Sequence, residues 1–260
     1  MRESNIISKT RPERTPIVSQ EPRLPIKAPI SAKGRIEIWL IKLDQIAPTA
    51  CLRAILSPEE RNRADKFLRP IDRSRFIFSR VAIKKILISY LDNPRPIDQD
   101  FSYGPWGKPY WDNLSFNFSH CQNLALLAVG GDSDPVGIDV ENINSRDIDL
   151  SGVSVFFHPK EQILLRGFTA HERRKAFFRL WVRKEAVMKA DGRGLSLGLE
   201  RTLVSPFKED NWGEIEEING SVTKRWFTPT FAFGDFVAAA AMEKPRPLTF
   251  KNFDRELIEF

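Results

Sequence analysis

Residues 170–191 read AHERRKAFFRLWVRKEAVMKAD and are followed by Gly192 and Gly194. Phe178, Trp181 and Met188 recur at helical spacing and the glycines supply a stop. The stretch therefore predicts one long, largely buried helix from Ala170 to Asp191. An earlier run, Asp72 to Leu91, has the same character, with Phe76, Ile83 and Leu87 on one side and Arg73, Arg80 and Lys84 on another. Each run follows a short helix opened by a proline. In Ser57-Pro58-Glu59-Glu60 the serine caps, the proline takes the first helical position and the acids lie in the first turn, leading a helix to about Phe67. His158-Pro159-Lys160-Glu161 opens the second. A shift of 101 positions lays Pro58 on Pro159, Glu60 on Glu161, Arg73 on Arg174 and Phe76 on Phe177. The order short helix, long helix, strands thus occurs twice. The expected fold class is α+β, a pair of similar halves meeting near residues 142–150, each with a long helix packed on a small, mostly antiparallel sheet.

The strands follow from shorter periods. Arg35 to Ile41 alternates polar and apolar residues, as do Leu114–Ser119 and Val136–Glu141, while Leu124–Val129 is a continuous apolar run. The last three are expected to form a meander, and strand-like segments continue to Met242. Residues 1–34 carry five prolines and no aromatic residue, too little apolar surface to offset the entropy of ordering, so a disordered basic tail is expected there. The folded halves are then residues 35–141 and 142–260.

A chain of 260 residues, 42% of them hydrophobic, can bury a sizeable core. No stretch is long and apolar enough for a membrane helix or a secretory signal, so a soluble cytoplasmic protein without a membrane partner is expected. Two cysteines, Cys51 and Cys121, support neither a disulfide scaffold nor a zinc site. The formal charge is +6, of which residues 1–34 supply +4, leaving a nearly neutral body. That distribution, without a nucleic-acid-binding motif, argues against the alternative of a nucleic-acid-binding protein.

Several residues could carry chemistry. Asp139 and Glu141 lie two apart on a strand and emerge on one face, offering a pair of hard oxygen ligands; the bland alternative is a solvated strand end. Glu185 and Lys189, four apart, share a helix face, and alone they read equally as a surface ion pair. The Gly-Arg-Gly-Leu-Ser-Leu segment at 192–197 is a tight turn of the kind that brings backbone close to a ligand. Gly107-Lys108-Pro109 is a rigid turn displaying one cation, and Ser119-His120 ends a strand with a hydroxyl and an imidazole suited to phosphate.

In this order, GKP (Gly107–Pro109), FNFSH (Phe116–His120), VGIDVE (Val136–Glu141), FFHPKE (Phe156–Glu161), WVRKEAVMK (Trp181–Lys189) and GRGLSL (Gly192–Leu197) resemble the 4′-phosphopantetheinyl transferases of the surfactin-synthetase-activating (Sfp) type. The resemblance spans roughly residues 57–199. It implies a pseudo-dimeric monomer that transfers the phosphopantetheine arm of coenzyme A to a serine of an apo acyl or peptidyl carrier protein, releasing adenosine 3′,5′-bisphosphate. It also implies that Asp139, Glu141 and Glu185 hold Mg²⁺, or Mn²⁺ in its place, and that Lys189 neutralises the leaving phosphate. Lys108 and Pro109 would line the adenine side, Ser119 and His120 would contact phosphate, and Arg75 would reach the 3′-phosphate. The acceptor of the serine proton stays open among Glu185, Glu161 and a water on the metal. Two positions depart from the usual pattern: Val182 replaces a small polar residue, and Glu60 stands where a lysine often helps to bind the 3′-phosphate. A catalytically inactive homologue that only binds a carrier protein is a further alternative, which the full set Asp139, Glu141, Glu185 and Lys189 opposes.

Overall fold

Thr169 and Glu172 cap each other at the start of the second long helix, and Gly192, at φ 95°, turns the chain out of its end. Local chemistry thus sets both bounds where they were expected. The computed structural model describes residues 34–44, 50–93, 96–112, 114–131, 134–145, 149–216 and 221–253; the expected tail lies outside them apart from Gly34. The elements are β1 (Ile36–Lys42), α1 (Ala50–Ala54), α2 (Pro58–Asp65), α3 (Pro70–Ile88), β2 (Ser102–Tyr103), β3 (Pro109–Tyr110), β4 (Ser115–Cys121), β5 (Leu124–Gly130) and β6 (Val136–Asn142), then α4 (Leu150–Ser154), α5 (Pro159–Gly167), α6 (Ala170–Asp191), β7 (Thr202–Val204), β8 (Trp212–Glu216), β9 (Val222–Phe227), β10 (Thr230–Phe233), β11 (Phe236–Met242) and β12 (Leu248–Asn252). No helix among the described residues is long and apolar enough to cross a membrane.

The chain is mixed α+β. One sheet has the order β12-β1-β5-β4, and the other runs β10-β11-β9-β8-β7 with β6 on β11. Trp39, Ile41, Leu127 and Val129 face α3, where Phe78 and Ile83 meet them. The alternate residues Ile36, Ile38, Leu126 and Ala128 pack instead on Ile138, Val140, Ala238 and Ala240 of the second sheet. That sheet's other face, with Val237, Ala239 and Ala241, meets Phe177, Phe178 and Val187 of α6. The layers are therefore helix, sheet, sheet, helix, and the central strands are apolar throughout because both their faces are buried.

The expected meander is corrected here. β4 and β5 pair as a hairpin, but β6 leaves them and pairs antiparallel with β11. Alternation marks β6 as a strand and carries no information on its partner, which lies almost a hundred residues away. The strand placed in the first half thus sits in the second sheet, while β12 returns to the first, parallel to β1. α3 is set slightly earlier than expected, at Pro70–Ile88.

Register reveals a repeat stronger than the four identities. The pair Ile36–Gly130 of β1 and β5 reappears as Val136–Met242 of β6 and β11, and Ser115–Gly130 reappears as Phe227–Met242. The short helices also match. Ser57 and Glu60 form a capping box on α2, as do His158 and Glu161 on α5. In each, the glutamate carboxylate takes a fully buried lysine of the following long helix, Lys84 at 2.5 Å and Lys184 at 2.6 Å. The charged stripe expected along α3 is accordingly partly internal.

Candidate active site

Strand β6 lies directly against α6 because Gly137 has no side chain: a Cβ there would strike the backbone of Ala186 and Ala190. Asp139 and Glu141 share the Gly137 face by the two-residue period, so both point toward α6. Asp139 is 3% exposed. Its Oδ1 accepts from Ser119 Oγ at 2.7 Å and from Lys189 Nζ at 2.6 Å, and Lys189 also donates to Ser119 at 3.0 Å. Its Oδ2 is buried with no hydrogen-bond partner. Glu141 accepts from Trp181 Nε1 at 3.3 Å. Glu185 makes no hydrogen bond or ion pair among the described residues; burial, then the Asp139 charge, push its carboxyl up to about 7 against the pull of Lys189. Burial and Asp139 likewise raise Glu141. The i,i+4 residues Glu185 and Lys189 are thus not a simple surface pair.

Among the described residues no three carboxylate, imidazole or thiol side chains converge closely enough to hold an ion as they stand. The chemistry of the set nevertheless suits a hard divalent cation. Burial and the Asp139 charge disfavour ionisation of Glu141 and Glu185, and the Asp139 Oδ2 lone pairs lack a partner.

The first half faces this group across a seam. Asn117 Oδ1 accepts from the Ile138 amide at 2.9 Å, binding β4 to β6, and places Ser119 and His120 beside the carboxylates. His120 is exposed at the rim. Desolvation of its ring, with the positive charges of Lys189, Arg75 and Arg80, holds it below its usual pKa, so it is neutral at pH 7. Arg75 Nε is buried without a partner. Arg80 was not among the expected site residues; its guanidinium stacks over Phe76 and Phe101. On a helix that also carries Arg73, Arg75, Lys84 and Lys85, nothing local to Arg80 singles it out. Together these groups make an electropositive wall.

Two expected residues are placed differently. Lys108 does not display its cation on a turn: Nζ donates to Ala190 O at 2.9 Å and Val136 O at 3.3 Å, capping the end of α6, and burial lowers its pKa to about 8 against the attraction of Asp191. Pro109 is half-buried in the β2–β3 hairpin. Glu161 does not join the carboxylates. It is 1% exposed, and its oxygens are taken by the Val204 amide at 2.8 Å, the His158 amide at 3.1 Å and Lys184.

Residues 135–241 match the profile of the 4′-phosphopantetheinyl transferase superfamily. The 4′-phosphopantetheinyl transferase HetI of Nostoc sp. is 38% identical over 168 residues, 62% of this chain and 70% of that protein. This chain belongs to the 4′-phosphopantetheinyl transferase superfamily. A putative 4′-phosphopantetheinyl transferase of Synechocystis sp. is 33% identical over 173 residues, 64% of this chain and 69% of the relative. The transferase Sfp of Bacillus subtilis is 31% identical over 150 residues, 56% of this chain and 65% of Sfp. The profile match, residues 135–241, contains β6, α6 and nearly all of β11, hence Asp139, Glu141, Glu185 and Lys189, whereas Arg75, Lys108 and His120 precede it.

Proposed function

We propose that this transferase moves the 4′-phosphopantetheine arm of coenzyme A onto a serine hydroxyl of an apo acyl or peptidyl carrier protein, releasing adenosine 3′,5′-bisphosphate. The observation that carries the reading is the seam itself. Lys189 and Ser119 meet on Asp139 Oδ1, Oδ2 is left open, and Arg75, Arg80 and His120 face them from the other half. A pyrophosphate needs both signs of partner, cations for its oxygens and carboxylates to hold a metal.

Asp139, Glu141 and Glu185 would hold Mg²⁺, or Mn²⁺ in its place, which when bound neutralises pyrophosphate charge as the serine attacks. Lys189, already directed at Asp139, donates to the leaving phosphate. Glu161 is fully engaged by the Val204 and His158 amides and Lys184, which leaves Glu185 or a water at the metal site to accept the serine proton. Ser119 and neutral His120 hydrogen-bond phosphate oxygens, Arg75 pairs with the 3′-phosphate, and the turn at Lys108 and Pro109 lays its main chain along the adenine.

The halves, residues 35–141 and 142–260 with β6 and β12 exchanged between their sheets, form a pseudo-dimer within a monomer. One site per chain follows: by register, Trp39 and Ile41 occupy in β1 the places of Asp139 and Glu141 in β6.

The test is incubation with coenzyme A, Mg²⁺ and a panel of apo-carrier proteins. A phosphopantetheine mass increment is expected, and none on any carrier by folded protein overturns the function. Asp139→Ala and Glu185→Ala are expected to abolish transfer while leaving the fold intact; near-normal turnover by either overturns the metal assignment.

A further inference from the structure

Glu161 sits in a motif beside the active helix, yet its geometry belongs to a device the molecule builds twice. In α5, Glu161 closes the capping box with His158, accepts from the Val204 amide of β7 and binds Lys184. Lys184 in turn donates to Leu199 O and Thr202 O, where the chain after the Gly192–Leu197 turn enters β7. In α2, Glu60 closes the capping box with Ser57 and binds Lys84. The first half has Trp39 and Ile41 in place of the reactive carboxylates, so the device persists beside a strand that bears no carboxylate pair. A group that served to remove a proton from substrate would have no reason to recur there in the same capping box with the same lysine.

We infer that Glu161 and Lys184 are a positioning pair, which fixes the rotation of α6 and the β7 entry against it so that Glu185 and Lys189 face Asp139, and that Glu161 exchanges no proton with the substrate. Lys184 immediately precedes Glu185, about 100° around the helix. With Lys184 tied to α5 on one side and to two carbonyls at β7 on the other, α6 cannot turn without breaking buried charge-assisted bonds. Glu185 has no partner of its own among the described residues and depends on this indirect hold.

The inference rests on the transferase reading above, and its test separates the two. Wild type, Glu161→Gln and Glu60→Gln are compared as full-length proteins for melting temperature, for coenzyme A affinity by calorimetry, and for kcat and KM of phosphopantetheine transfer from pH 5.5 to 9. The glutamine keeps an oxygen for one amide and for Lys184, so it folds where alanine fails. Both variants are expected to melt lower. Glu161→Gln is expected to lose transfer efficiency, by roughly three- to tenfold, because misplacing reacting groups lowers rate without removing them; Glu60→Gln serves for stability only, since its carboxylate also lies 4.0 Å from Arg80 of the cationic wall. The pH profile of Glu161→Gln keeps the wild-type shape, and Glu161→Asp recovers part of the loss. Loss of the acidic limb of kcat with a fall of roughly 10²-fold or more would mark a general base and overturn the inference. Equal kinetics in Glu161→Gln and wild type would reduce the pair to a structural contact and overturn it as well. Absence of transfer by wild type would strike the proposed function instead.

Discussion

A Cβ on Gly137 would stand 1.9 Å from the Ala186 carbonyl oxygen and 2.6 Å from the Ala190 amide nitrogen. These are backbone atoms of a helix packed on both sides, so neither can move aside alone. The close approach of β6 to α6 that puts Asp139 opposite Lys189 therefore depends on this glycine.

Gly137→Ala is expected to destabilise the protein by about 3 kcal/mol or more, at the upper end of what overpacking usually costs. It should also depress transfer in whatever fraction stays folded, because α6 must shift to admit the methyl group. Urea denaturation of purified variant and wild type measures the first effect. A midpoint unchanged by the substitution would mean that the two elements are not in fact in contact.

Away from the seam, Glu37 gives the fold an acid-sensitive point. It is fully buried on β1, and accepts from Tyr90 Oη at 2.5 Å, Lys251 Nζ at 2.5 Å and Arg35 Nε at 2.9 Å, joining β1 to the end of α3 and to β12. Burial pushes its carboxyl up, but the bonds from Lys251, Tyr90 and Arg35 outweigh this and hold it below the usual glutamate range. A depressed folded-state value means that the unfolded chain binds the proton more readily. The stabilisation is complete above the usual glutamate range and is lost as pH falls through that range toward the folded value. Glu37→Gln is expected to be less stable at pH 7 and to lose less on acidification, so the two urea midpoints converge between pH 7 and 3. A constant gap across that range would exclude Glu37 as the titrating group.

What could be read from the sequence is what short-range chemistry encodes. α6 begins and ends where Thr169, Glu172 and Gly192 dictate, and Asp139 and Glu141 share a face because a strand has period two. The missed features depend on distant partners. Nothing near Glu161 announces that Lys184 and Val204 will consume its oxygens, and nothing near Lys108 shows that its ammonium will turn onto the α6 carbonyl of Ala190. The pairing of β6 with β11 is of the same kind, since alternation is indifferent to which edge a strand joins. Arg80 belongs to the cationic wall through its charge on the His120 ring, a neighbour forty residues away that no local pattern announces.

The cysteines should differ sharply in reactivity. Cys51 is exposed, while Cys121 is half-buried and its thiol is pushed up to about 12 by burial and then by the neighbouring Glu141 charge. Alkylation requires the thiolate. Native protein treated with iodoacetamide at pH 8 should therefore gain a single adduct, mapped to Cys51, with the second appearing only in denaturant. Rapid labelling of Cys121 in the folded protein would contradict the burial and the charge of its surroundings.

The Lys189–Asp139 contact is where fold and chemistry coincide. Lys189 Nζ lies 2.6 Å from Asp139 Oδ1, and the carboxylate is almost wholly inaccessible to water. Removing the lysine takes away both the counter-charge of a buried acid and the donor expected to reach the leaving phosphate, so Lys189→Ala should lower kcat by roughly 10²–10³-fold, the range for losing one such electrostatic donor. Because the two residues share one contact, adding Asp139→Asn to Lys189→Ala should change stability by less than Asp139→Asn does alone. Single-turnover transfer to an apo-carrier protein, with melting curves for the single and double variants, measures both. If Lys189→Ala turned over within tenfold of wild type, or if the stability effects simply added, the lysine would have neither role.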